Sequence, residues 1–112
     1  MIMYRFALLG AGFIGSVHAA SLADHPRVDF AVVYDIDSLR AKRLAAAHGV
    51  HAVDSLEAAF DPDHLDALLI ASSTDTHAEY LRRAADAGLA VLCEKPIDLD
   101  LDRAADAARY AR

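Results

Sequence analysis

Gly10-Ala11-Gly12-Phe13-Ile14-Gly15 sets three glycines at Gly-x-Gly-x-x-Gly spacing directly after the apolar run Tyr4 to Leu9. This pattern suits a backbone that must wrap a phosphate. Gly10 permits a tight turn, Gly12 lets the main chain approach a pyrophosphate without a side-chain clash, and Gly15 lets a helix pack close to the strand. The helix opening here, running to about Asp24, offers free N–H groups and the positive end of its dipole to the phosphates. Asp35 stands twenty residues beyond Gly15, after a second apolar run. A carboxylate there accepts hydrogen bonds from both hydroxyls of an adenosine ribose and repels a 2′-phosphate, which favours NAD over NADP. Three alternatives remain open. Arg40 is placed to hold a 2′-phosphate; FAD-binding folds share the glycine pattern, in longer chains and with glutamate as often as aspartate; and Asp35 is placed to cap a helix starting near Ser38.

Two more clusters carry chemistry. Ser72-Ser73-Thr74-Asp75-Thr76-His77 falls where a fourth strand gives way to a helix, at the edge where open parallel sheets bind ligands. Its hydroxyls and helix amino end suit the nicotinamide half of a dinucleotide. Turn and capping chemistry explains Thr76 and Asp75 equally well, and Ser72 and Ser73 in part. Cys93-Glu94-Lys95-Pro96 ends a fifth strand on the same edge. A lysine there can hydrogen-bond a substrate hydroxyl and stabilise negative charge developing on its oxygen; the competing reading is a surface Glu-Lys pair. Cys93 itself is expected to be a buried strand residue. His18, His48 and His51 lack ligand spacing, and Asp61, Asp63, His64 and Asp66 read as a solvated acidic loop around Pro62, so no metal is expected.

These residues need a scaffold that brings strand ends together. Tyr4 to Leu9, Val28 to Tyr34, Leu68 to Ala71 and Leu89 to Cys93 are nearly continuous apolar runs, as in parallel strands buried on both faces, and His51 to Val53 reads as a brief edge strand. Between them lie helix patterns. Ser38 to His48 stops at Gly49, Thr76 to Ala87 stops at Gly88, Thr76-His77-Ala78-Glu79 fits a capping box, and Asp54-Ser55-Leu56-Glu57 opens a shorter helix. Alternation of strand and helix predicts an α/β fold, a Rossmann doubly wound parallel sheet. Leu99 to Arg112 reads as a further helix with no cap and no strand after it. Residues 1–112 are therefore expected to form a dinucleotide-binding domain interrupted before its last strand, the alternative being a small domain that ends on a helix.

Composition narrows the partners. With 11 basic and 17 acidic residues the formal charge is −6, and no basic stripe offers a footprint for nucleic acid. Apolar stretches are far shorter than the roughly 20 residues that span a bilayer, so no membrane partner is expected. The first residues carry no signal-peptide pattern, which makes a cytoplasmic location the default expectation.

The whole pattern resembles the amino-terminal half of the Gfo/Idh/MocA oxidoreductase family. The likeness rests on the glycine loop followed by His18 and Leu22, Asp35 after Val32-Val33-Tyr34, the run from Ser72 to His77, and Glu94-Lys95-Pro96, in the right order over almost the whole chain. Ala71 to Glu79 and Cys93 to Leu99 look most like the inositol 2-dehydrogenases within it. The resemblance implies an NAD-dependent dehydrogenase moving hydride between a ring hydroxyl of a cyclitol or sugar and nicotinamide. It implies Lys95 as the catalytic lysine, and an NAD site lined by Phe13, Ile14, Asp35, Ser73, Thr74, His77 and Glu94 beside the glycines, Ser72 and Lys95. It further implies a second αβ domain, without counterpart in these residues, that carries an aspartate, a histidine base, the substrate wall and a homo-oligomer interface. A second reading stands beside this one: a non-catalytic NAD-binding module or truncated gene fragment without turnover.

Overall fold

The computed structural model describes residues 3–94; Lys95, Pro96 and the expected helix from Leu99 to Arg112 lie outside the described residues. The strands are β1 (Tyr4–Leu9), β2 (Val28–Tyr34), β3 (His51–Ala52), β4 (Ala67–Ile70) and β5 (Ala90–Cys93). They alternate with helices α1 (Phe13–Asp24), α2 (Ser38–His48), α3 (Leu56–Ala59) and α4 (Thr74–Ala87). All strand pairings are parallel, in the order β3-β2-β1-β4-β5. The chain thus builds outward from β1 in one direction, then returns to build outward in the other. The reversal between β1 and β4 opens a crevice at their carboxyl ends, where ligands bind in sheets of this kind.

The unbroken apolar strands follow from burial on both faces. Leu8, Val33 and Leu69 pack with Ala19 and Leu22 of α1 and Ala41 and Ala45 of α2. Ala7, Leu9, Leu68 and Ile70 point the other way, onto Tyr80, Leu81 and Ala84 of α4. Strand β5 departs from the expectation: Ala90 and Leu92 are exposed, and Cys93 is half-buried rather than buried. Being the outermost strand described on that side, β5 pairs with β4 alone among the described strands, while Val91 and Cys93 pack toward the core cluster that α4 shares.

Helix ends obey their local chemistry. Asp37 is the cap of α2, its carboxylate accepting from the N–H groups of Leu39 at 3.1 Å and Arg40 at 3.4 Å. Ser55 caps α3 through Ala58 N–H at 3.2 Å. Gly49 and Gly88 close α2 and α4 in the left-handed conformation, with φ of 67° and 74°. The capping box expected at Thr76 does not form. Helix α4 begins two residues earlier, and the Thr76 hydroxyl turns back onto the Ser73 carbonyl at 2.6 Å instead of capping. Glu79, the other half of the expected box, pairs with Arg83 one turn on at 2.9 Å. The acidic loop is exposed at Pro62, Asp63, His64 and Asp66, as expected, and is also held by hydrogen bonds. Asp61 accepts from Asp63 N–H and pairs with His64, while Asp66 reaches Arg5 N–H of β1 at 2.8 Å.

Candidate functional site

The glycine loop leaves β1 under tight constraint. Gly10 has φ of 109°, and a Cβ there would lie 2.5 Å from the backbone of Ala71 and Ser72, the residues just past β4. Only glycine lets the two strand ends meet so closely. Gly15 is equally confined, since its Cβ would fall 1.9 Å from the Gly10 carbonyl oxygen. That is the close helix-to-strand packing expected of the third glycine. Gly12 is different: a Cβ there meets no protein atom within 4 Å, and its φ of −81° is open to any residue. Neither strain nor packing demands glycine at that point, so the space above it is where a ligand backbone can come close.

That space is a cleft of about 400 Å³. Gly10, Gly12, Phe13 and Ile14 form one wall, Tyr34, Asp35, Ile36 and Arg40 a second, and Ala71, Ser72, Ser73, Asp75, Thr76 and Tyr80 a third. Two helix amino ends border it, at Gly12 for α1 and Ser73 for α4, and neither receives a side-chain cap. Helix α1 also has no acidic residue in its first turn. Its unpaired N–H groups and dipole therefore remain free to meet an anion. By contrast, α2 and α3 have their amino ends closed by Asp37 and Ser55. A pyrophosphate fits this donor set.

Asp35 holds the second wall. One carboxylate oxygen accepts from Ala11 N–H of the glycine loop at 2.7 Å, the other from Asp37 N–H at 2.8 Å. The cap of α2 is Asp37, so capping is not the role of Asp35. Each oxygen keeps a further lone pair, and a vicinal diol suits that pair of acceptors. Arg40, facing the same cleft, lies 3.7 Å from the Asp37 carboxylate in an exposed pair.

On the third wall the hydroxyls form a directed chain. Thr76 donates to the Ser73 carbonyl, so the 2.6 Å contact between Ser72 Oγ and Thr76 Oγ1 must be donated by Ser72. Ser72 is left with acceptor capacity toward the cleft. Tyr80, edge-on to Phe60 with centroids 5.8 Å apart, closes the wall; burial, then the nearby Tyr34, raises its phenol above the usual range and keeps it a neutral hydroxyl.

Of the predicted residues, Gly10, Gly12, Phe13, Ile14, Asp35, Ser72 and Ser73 come together in this cleft. Gly15, Thr74, His77 and Glu94 are not among its lining residues. His77 is 2% exposed, with its ring Nε2 2.8 Å from the Ser72 carbonyl, so it braces the loop from behind. Glu94 continues the β5 ladder through its N–H to the Ile70 carbonyl at 3.0 Å, and its carboxylate contacts His18 of α1. Lys95 lies outside the described residues. The sequence reading passed over Tyr34, Ile36 and Tyr80. Ile36 carried a usable signal, an isoleucine directly after the carboxylate expected to meet a ribose; it is 91% exposed at the cleft wall. Cys93 sits just before Glu94, and burial together with the Glu94 charge pushes its thiol up to about 11.

The profile of an oxidoreductase family described as an NAD-binding Rossmann fold, GFO_IDH_MocA, matches residues 4–112. An inositol 2-dehydrogenase of Rhizobium meliloti is 46% identical over 101 residues, covering 88% of this chain and 30% of that protein. Among solved structures, a myo-inositol dehydrogenase from Corynebacterium glutamicum superimposes with a TM-score of 0.89 at 41% identity, covering 98% of this chain and 33% of the other. GenD2 of gentamicin A biosynthesis, solved in complex with NAD, gives a TM-score of 0.92 at 32% identity over 99% of this chain and 32% of its own. The chain spans about a third of the length of these relatives.

Proposed function

This chain belongs to the GFO_IDH_MocA oxidoreductase family and has its NAD-binding Rossmann fold, and from that premise we propose that it is the cofactor half of a cytoplasmic, NAD-dependent dehydrogenase acting on a ring hydroxyl of a cyclitol or sugar. The observation that carries the reading is the cleft at the β1–β4 reversal, with an unobstructed Gly12, an uncapped α1 and a pinned Asp35 on its walls. The α1 N–H groups would hold the pyrophosphate, Asp35 the adenosine ribose, and Ser72 and Ser73 the half toward nicotinamide. When bound, NAD supplies the two-electron acceptor for alcohol oxidation. Lys95, next in sequence to Glu94 at the carboxyl edge, would hydrogen-bond the reacting oxygen and stabilise its developing charge. A second domain would supply the proton-accepting base, the substrate wall and the homo-oligomer contact; inositol-like polyols are the substrate class, in line with the inositol dehydrogenases among the relatives.

Lys95→Ala in the full-length protein tests this. Turnover of a polyol with NAD should fall at least about 100-fold, the scale of losing one charge-stabilising donor, while NAD affinity stays within a few fold. Near-normal turnover would remove Lys95 from the chemistry, and a wild-type protein that binds NAD but oxidises no polyol would favour a binding module without turnover.

A further inference from the structure

A second carboxylate and two arginines surround Asp35, and their arrangement bears on which dinucleotide the cleft accepts. Asp37 is not among the residues lining the cleft, whereas Arg40, in the first turn of α2, is. The Asp37 side chain divides its two oxygens. Oδ1 accepts from the N–H groups of Leu39 and Arg40, which closes the amino end of α2, while Oδ2 lies 3.7 Å from Arg40 Nε. The carboxylate therefore cancels the charge that a phosphate on the adenosine ribose would otherwise meet at this wall. Arg40 also borders a neighbouring groove of about 320 Å³, together with Ala11, Ser16 and Arg43. Ala11 is the residue whose N–H pins Asp35, so the groove adjoins the ribose end of the cleft. Arg43, exposed one turn along α2, forms no salt bridge among the described residues. Room and positive charge for a 2′-phosphate thus lie beside Asp35, with Asp37 placed to neutralise the arginine nearest the cleft.

We infer that Asp37 is a specificity-determining positioning residue: by holding Arg40, it denies a 2′-phosphate the cation that would receive it and keeps the cleft selective for NAD. This rests on the adenosine-ribose position proposed above for Asp35, and not on the substrate. Asp35 repels a 2′-phosphate directly, whereas Asp37 acts through Arg40. The two carboxylates are coupled only by the Asp37 N–H bond to Asp35 at 2.8 Å, a backbone donor that survives replacement of the Asp37 side chain by Asn or Ser. Arg40 and Asp37 are both exposed, at 61% and 52%, so their mutual hold is weak and the effect modest. Releasing Arg40 to a 2′-phosphate is expected to strengthen NADPH binding about three- to tenfold, with NADH affinity within about twofold.

The test titrates the full-length protein with NADH and NADPH, read by the fluorescence of the reduced nicotinamide, so no turnover is needed. Asp37→Asn keeps an acceptor for the Leu39 and Arg40 N–H groups, because asparagine caps helices as well as aspartate, but removes the charge that holds Arg40. Its NADPH Kd should fall at least about threefold relative to its NADH Kd. Asp37→Ser, a second uncharged cap, should do the same. In an Arg40→Ala background Asp37→Asn should move the ratio by less than about 1.5-fold, since the residue through which it acts is gone. Asp29→Asn removes a carboxylate of similar exposure, paired with Arg5 at the other end of β2, and should leave the ratio unchanged. The inference is overturned if neither uncharged cap moves the ratio, if the gain persists without Arg40, which would mean direct repulsion by Asp37, or if Asp29→Asn reproduces it, which would mean net charge alone. A wild-type protein that binds neither nucleotide overturns the cofactor reading and this inference together. One that binds NADH, follows the expected pattern and oxidises no polyol sinks the substrate reading and leaves the role of Asp37 standing.

Discussion

Gly12→Ala and Gly15→Ala add the same methyl group three residues apart, and the structure assigns them opposite consequences. At Gly15 the new carbon would sit 1.9 Å from the Gly10 carbonyl oxygen and 2.7 Å from its carbon, so α1 and the loop must part until the contact exceeds 3.0 Å. Both partners are backbone, with no flexible side chain to yield. Overpacking of this kind costs about 1–3 kcal/mol or more, against about 1 kcal/mol gained from alanine in a helix. A net loss of about 1–2 kcal/mol lowers the Tm of a domain this size by roughly 5–15 °C. At Gly12 the methyl meets nothing within 4 Å and φ is already −81°, so Tm should stay within about 3 °C of the wild type. The same methyl nevertheless projects toward the cleft beside the α1 N–H groups. Losing one charge-assisted hydrogen bond to a pyrophosphate costs about 1.5–3 kcal/mol, or roughly 10- to 150-fold in Kd. Thermal unfolding followed by circular dichroism, paired with calorimetric NAD titration, reads both quantities. Gly12→Ala should be stable and weak in binding, Gly15→Ala unstable and weak. A Gly12→Ala protein that binds NAD as the wild type does, or that melts as early as Gly15→Ala, would refute the assignment of the space above Gly12 to the pyrophosphate.

Asp35→Ser should weaken NAD and shift preference toward NADP by about tenfold or more, and should lower stability by about 1–3 kcal/mol because the part-buried Ala11 N–H loses its acceptor; paired Kd measurements with the two nucleotides check it, and an unchanged preference would pass the selection to Arg40. Ile36→Ser should leave Tm unchanged, since the side chain is 91% exposed, yet weaken NAD about fivefold to tenfold through lost apolar cover of the adenosine end; equal Kd values would place that end elsewhere. Cys93 should resist iodoacetamide at pH 7–8, with alkylation accelerating as pH climbs toward about 11. The sign for stability follows from the same shift: with the folded thiol raised above its ordinary 9.0, the neutral form favours folding below pH 9, and this contribution is lost between pH 9 and about 11. Rapid alkylation at pH 7 would contradict a desolvated thiol.

The local order of this chain is written in residue types that act over a few neighbours. Tyr4–Leu9 and Val28–Tyr34 form strands at their predicted bounds because continuous apolar runs can satisfy only a sheet covered on both sides. Gly49 and Gly88 stop their helices where a left-handed residue is needed. The glycine loop and Asp35 were legible for the same reason, since a fixed spacing from strand to helix implies a phosphate turn. What lay beyond sequence was which donors and acceptors find each other across the fold. Thr76 reads as a cap, yet Ser73 and Ser72 reach its hydroxyl first, so α4 starts earlier. His77 reads as a cleft residue, and packing behind the Ser72 carbonyl buries it instead. Cys93 reads as a core residue, but β5 has a described neighbour on one side only. The pairing of His18 with Glu94 carries no signature at all, because only the folded chain brings together side chains 76 residues apart. Periodicity and spacing fix elements and loops, which depend on near neighbours; contacts between distant residues depend on how those elements pack, and the tertiary structure alone decides them.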